Sequence, residues 1–152
     1  MARWSAFGIL LAVCAAAMVS GPGALATEAV EGRLSIELNR VSAAKGACRA
    51  SFVFTNKMNV AVEALSIETV LFNKQGSVER FLILKSRPLS PKKIRVQQYD
   101  IRGLKCEALG RVLLNDVKSC KVGSLTPEAC LDRIEPSSRA GVPFISTMAA
   151  SN

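Results

Sequence analysis

The stretch Val62-Glu63-Ala64-Leu65-Ser66-Ile67-Glu68-Thr69-Val70-Leu71-Phe72, then Asn73-Lys74-Gln75-Gly76, then Val78-Glu79-Arg80-Phe81-Leu82-Ile83-Leu84, decides the fold. Leu65, Ile67 and Leu71 recur at even spacing, with Ser66 and Glu68 between them. Side chains of an extended strand alternate between its two faces, so a period of two predicts a half-buried strand over 62–72. Asn73 to Gly76 interrupts it with turn formers, the glycine supplying the positive φ that other residues resist. Val78 to Leu84 returns as the partner strand.

The same period extends outward from this hairpin. Leu34, Ile36 and Leu38 alternate with Ser35, Glu37 and Asn39; Cys48, Ala50, Phe52 and Phe54 alternate with Arg49, Ser51 and Thr55. Both segments read as strands, the second ending in a turn at Asn56-Lys57-Met58-Asn59. Downstream, Pro88 and Pro91 cannot lie inside a central strand. Ile94–Tyr99 and Val112–Val117 are strand-like, with a connector from Gly103 to Gly110 that carries Cys106. Thr126-Pro127-Glu128 places an N-cap residue before a proline, which predicts a short helix over 127–134. Val142-Pro143-Phe144-Ile145 is expected to tuck back onto the body. Six or seven short strands separated by turns predict an all-β domain: an antiparallel Ig-like β-sandwich of about seven strands, with a short helix near the C-terminus. A small barrel is the alternative. No G-x-G-x-x-G and no P-loop is present, so nucleotide folds are unsupported.

Residues 1–26 read as an address. Arg3 precedes an apolar, small-residue run from Ala6 to Val19, then Gly21-Pro22-Gly23 and Ala24-Leu25-Ala26. A positive start, a short apolar stretch and an A-x-A end are the parts of a secretory signal peptide, with cleavage expected after Ala26. The run is shorter than the roughly 20 helical residues that span a bilayer. The expected organisation is therefore a signal peptide over 1–26, a disulfide-stapled β-sandwich over 27–146 and a frayed tail over 147–152. No transmembrane segment is expected after cleavage, and the expected location is the periplasm.

Cys48, Cys106, Cys120 and Cys130 remain in the mature chain, at spacings of 58, 14 and 10. An even set in a small exported domain reads as two disulfides, with three possible connectivities. A tetra-thiolate zinc site would want two close C-x₂₋₄-C pairs, and none occurs. The turn-rich stretch between Cys120 and Cys130 favours their pairing, which leaves Cys48 for Cys106.

Composition narrows the chemistry. The 152 residues include no histidine, which excludes Ser-His-Asp and Cys-His catalysis, His-ligated metals and a histidine pH switch. The acids Glu63, Glu68, Glu79, Asp100, Asp116 and Asp132 are spread singly, and the three glutamates read as solvent-facing. Asn115-Asp116, just after a strand core, offers a polar site, though the commoner reading of such a pair is a turn or cap. No catalytic constellation, cofactor or metal site is expected. The net charge is +8, or +7 once Arg3 is removed with the signal peptide. From Arg80 to Tyr99 the chain carries Arg80, Lys85, Arg87, Lys92, Lys93 and Arg95 and no acid. Arg87, Lys92, Lys93 and Arg95 are the candidate anion or partner site; the plainer reading is a solvated edge whose charges discourage strand pairing. Nucleic acid is not expected as a partner, because stacking aromatics are not interleaved with the cations.

Leu34-Ser-Ile-Glu-Leu-Asn39, Cys48-Arg49-Ala50, Val70-Leu71-Phe72, Gly103-Leu104-Lys105-Cys106, Gly110–Val117 with Cys120, and Ser138-Arg139 with Val142-Pro143-Phe144 together resemble small exported alphaproteobacterial proteins. Members of that group are often labelled Tat (twin-arginine) pathway signal sequence domain proteins. The resemblance implies periplasmic residence and carries no activity with it. The function expected from the sequence is a non-catalytic accessory or binding module acting on a protein or an anionic envelope component. A small histidine-free periplasmic hydrolase is the alternative.

Overall fold

A computed structural model describes Met1 and residues 29–148. The expected signal peptide therefore lies, apart from Met1, outside the described residues. Eight strands form two stacked sheets. The first holds β5-β2-β1-β7 and the second β4-β3-β6-β8, with β1 Leu34–Ala44, β2 Ala47–Asn56, β3 Val62–Asn73, β4 Val78–Ser86, β5 Ile94–Arg102, β6 Leu109–Val122, β7 Ile134–Ser138 and β8 Phe144–Ser146. One turn of 3₁₀ helix spans Cys106–Ala108, and α1 spans Pro127–Asp132.

The β3–β4 hairpin forms where its sequence places it. Asn73 organises the turn: its Oδ1 accepts from the backbone N–H groups of Gln75 and Ser77, and Gly76 takes a φ of 82°. Thr126 caps α1, its Oγ1 accepting from Ala129 N–H at 3.3 Å, with Pro127 at the first helical position.

The sandwich is not purely antiparallel. β7 lies parallel to β1, with Leu34 opposite Ile134, and β8 lies parallel to β6, with Val112 opposite Phe144. Both sheets are thus mixed, and the strand count is eight rather than about seven. The physical reason is that the chain after α1 runs along an edge of the first sheet, then crosses to an edge of the second. Thr147, expected in the tail, donates its N–H to Leu114 O at 3.0 Å.

The inner faces supply the core. Ile36, Leu38, Phe52 and Phe54 from the first sheet meet Ile67, Leu71, Leu84 and Leu114 from the second, all buried. Phe52 sits among aromatics, edge-on to Tyr99 and Phe144 at 5.8 and 5.6 Å between ring centres. Burying each such side chain contributes about 1.5–3 kcal/mol. The one fully buried hydroxyl of this face, Thr69, donates to Leu82 O at 3.0 Å, so its burial carries no unpaired group. The sequence pairing of the cysteines holds: Cys48 is bonded to Cys106 and Cys120 to Cys130. One bridge ties β2 to the 3₁₀ turn, the other ties β6 to α1.

Candidate functional site

The basic segment occupies the end of β4, the connection to β5 and the start of β5. Its foot in the core is Leu89, which is buried and exchanges two backbone hydrogen bonds with Val62, at 2.8 and 3.0 Å. Ser90-Pro91-Lys92-Lys93 then closes a tight turn, Lys93 N–H donating to Ser90 O at 3.3 Å. Proline at the second position and a positive φ at the third describe a type II turn. Lys92 holds that third position with a φ of 60°, where glycine is usual.

Asn56 clamps this turn. Its backbone N–H donates to Lys93 O at 2.9 Å, and its C=O accepts from Lys92 N–H at 2.8 Å. Its side chain is fully buried: Nδ2 donates to Val60 O and Leu89 O at 2.9 and 3.1 Å, and Oδ1 accepts from Met58 N–H at 3.0 Å. A second clamp lies at the other foot. Gln97 Oε1 accepts from Arg87 N–H at 2.8 Å, while Gln97 Nε2 donates to Lys85 O and to Tyr99 Oη. Tyr99 Oη in turn donates to Lys85 O at 2.8 Å. The loop is therefore fixed in the middle and at both ends.

On this frame stand Arg87, Lys92, Lys93 and Arg95, all exposed. Arg87 and Arg95 line one cleft with Val96, Gln97 and Gln98. Arg80, which the sequence groups with them, is half-buried and tied elsewhere: it donates through Nη1 to Arg102 O on β5 at 2.9 Å.

Five other cations among the described residues find acids. Arg49 grips Asp100 with both carboxylate oxygens, at 2.6 and 2.8 Å. Arg139 meets Glu37 at 2.9 Å, and Arg33 and Lys57 share Glu135. Lys118 lies between Asp116 and Glu68, at 2.9 and 3.3 Å. Arg111 stacks over the Phe72 ring. Among the described residues the side chains of Arg87, Lys92, Lys93 and Arg95 make no ion pair and no hydrogen bond. Four unpaired cations on one clamped loop are the feature that stands out.

The Lys118 cluster brings together Glu68 and Asp116, acids that lie 48 positions apart in the sequence. Asn115 and Asp116 are strand residues of β6 rather than a turn or cap, and Asn115 Nδ2 donates to Glu68 Oε1 at 2.7 Å. Glu68 is only 18% exposed in its side chain, so it is not the solvent-facing residue its position suggested. The hydrogen bond from Lys118 holds the Asp116 carboxyl below its usual range, and the same bond raises the Lys118 ammonium. Each group is fixed in its charged form, which suits a structural tie and offers no proton donor near neutral pH. No group of three His, Cys, Asp or Glu capable of holding a metal occurs among the described residues.

Two predictions test the frame of the loop. Burial pushes the Tyr99 phenol up to about 12, against a smaller opposing pull from Arg87. Its neutral form is the one that donates to Lys85 O, so this contribution to stability is complete below pH 10 and is lost as pH climbs toward 12. As the chain's single tyrosine, Tyr99 can be followed by tyrosinate absorbance; a midpoint near 10 in folded protein would contradict its burial. Lys92→Val should cost about 1 kcal/mol, because a β-branched side chain resists positive φ, whereas Lys92→Gly should not destabilise. Equal urea midpoints for the two variants would show that the turn relaxes.

No protein-family model and no curated protein sequence matches the chain. Its fold resembles a solved structure of IrmA from Escherichia coli. The two align with a TM-score of 0.51 at 13% identity, over 70% of this chain and 92% of that one. The likeness is one of fold alone. Among the described residues no helix is long and apolar enough to cross a membrane.

Proposed function

We propose that this protein is an exported, non-catalytic binding module of the cell envelope, and that it recognises an anionic partner through the loop of Arg87, Lys92, Lys93 and Arg95. The observation that carries this reading is that these four exposed cations stand together, without an ion pair, on a rigid frame. A cluster of like charges raises the free energy of the folded chain and is relieved when an anion arrives. Because Asn56 and Gln97 already hold the loop, little ordering entropy remains to oppose binding. The two disulfides support residence in an oxidising compartment, for which the periplasm is our reading. The grouping of β1, β2 and β5 in one sheet and β3, β4 and β6 in the other supports an Ig-like kinship for the core.

The test is the variant with Arg87, Lys92, Lys93 and Arg95 all replaced by glutamine. Its melting temperature should stay near that of wild type, since exposed charges contribute little to stability. Its binding to an anionic partner, whether crosslinked in cells or offered as a soluble polyanion, should fall by about 100-fold and lose its steep salt dependence. Wild-type affinity in the quadruple variant would reduce the loop to a solvated edge.

A further inference from the structure

We infer that the anion this loop meets is the headgroup layer of a bilayer, with Ile94 and Val96 entering the interface between the cations; this rests on the anion-binding reading above. Ile94 and Val96 are 67% and 60% exposed, on a strand where Gln97 and Tyr99 turn inward. On this edge strand Arg95 points to the opposite face from Ile94 and Val96, and the strand rim brings them together: Val96 lines the same cleft as the unpaired Arg87 and Arg95. Such a surface matches an anionic lipid interface, where phosphates lie above acyl chains within a few ångströms.

The surroundings argue against the other occupants. Across the first sheet, Ile94 continues into Thr55, Ser35 and Glu135, and Val96 into Val53, Glu37 and Ser137. The apolar area is thus a small corner with a polar field beside it. A standard protein interface takes about 800 Å² from each partner around an apolar centre, and the large exposed apolar side chains of this strand are Ile94 and Val96 alone. Pairing of β5 with β5 of a second copy would bring two sets of cations together, which like-charge repulsion opposes. A bilayer asks for less: shallow entry of a few side chains, with each nearby cation strengthening the attraction.

The experiment is co-sedimentation with two kinds of vesicle, phosphatidylcholine alone and phosphatidylcholine with one-third phosphatidylglycerol, alongside binding to soluble polyphosphate. Three proteins are compared: wild type, the quadruple glutamine variant, and Ile94→Ser with Val96→Ser. All should melt alike, since every altered side chain is exposed. Wild type should bind the anionic vesicles and not the neutral ones. The quadruple variant should lose about 100-fold, and the double serine variant about tenfold on vesicles with no change toward polyphosphate. A double serine variant that binds anionic vesicles like wild type overturns the insertion while leaving the anion site in place. Charge-dependent binding to polyphosphate or to an acidic protein, with none to vesicles, overturns the bilayer and keeps the anion reading. Loss of neither kind of binding in the quadruple variant overturns both.

Discussion

Asn56→Ala should lower stability by about 3 kcal/mol, a large effect for a residue whose sequence context reads as an ordinary turn. The amide is fully buried and meets three backbone groups, Val60 O, Leu89 O and Met58 N–H. Removing it strands Val60 O and Met58 N–H, while Leu89 O keeps its bond from Val62 N–H, and an unsatisfied buried polar group costs about 1–3 kcal/mol. Partial relaxation keeps the total below the sum. Asn56→Asp should do no better at neutral pH: its oxygen still accepts from Met58, but a carboxylate would face two carbonyls. That variant should recover on acidification, when a protonated carboxyl can donate again. Urea unfolding of both variants across pH checks this. A loss under about 1 kcal/mol for Asn56→Ala would mean that the loop is held by its backbone bonds alone.

The second large effect concerns the long-range disulfide. Replacing Cys48 and Cys106 with alanine should cost about 4 kcal/mol, and replacing Cys120 and Cys130 about 3 kcal/mol, because the first bridge closes a loop of 58 residues and the second one of 10. The entropy removed from the unfolded chain grows with loop length, although only logarithmically. Against a typical domain stability of 5–15 kcal/mol, either loss is serious. Denaturant midpoints of the two double variants give the comparison. A larger loss from the short bridge would place the stabilisation in local packing around α1 rather than in chain entropy.

Legibility varied with how local the deciding interaction is. The alternation of Cys48, Ala50, Phe52 and Phe54 is recoverable because one face of β2 is dry and the other wet, and burial follows it. β5 misleads. Its pattern offers two faces, Ile94 and Val96 against Gln97 and Tyr99, and hydropathy favours the first. The second is inside because Tyr99 packs edge-on against Phe52, and both polar ends find Lys85 O on β4. Nothing local to 94–99 announces that acceptor. Strand direction was equally hidden: periodicity gives a strand but not its sense, so the parallel docking of β7 and β8 had no sequence signal. For the candidate site, the charge run from 80 to 99 was plain. That Arg80 turns away, that Asn56 clamps the turn, and that four cations lack partners depend on residues up to dozens of positions distant.

The parallel docking of β7 on β1 also sets a clock. Leu34 faces Ile134, so the first strand waits for a partner 100 positions later in the chain. A β-hairpin such as β1–β2 closes in microseconds. A chain that enters its folding compartment N-terminus first delivers the remaining partner 100 residues after Leu34. Until it arrives, one side of β1 is an open strand edge, its N–H and C=O groups available to any other extended chain. The vulnerable species is then the partly delivered chain, and the hazard is greatest before residue 134 arrives.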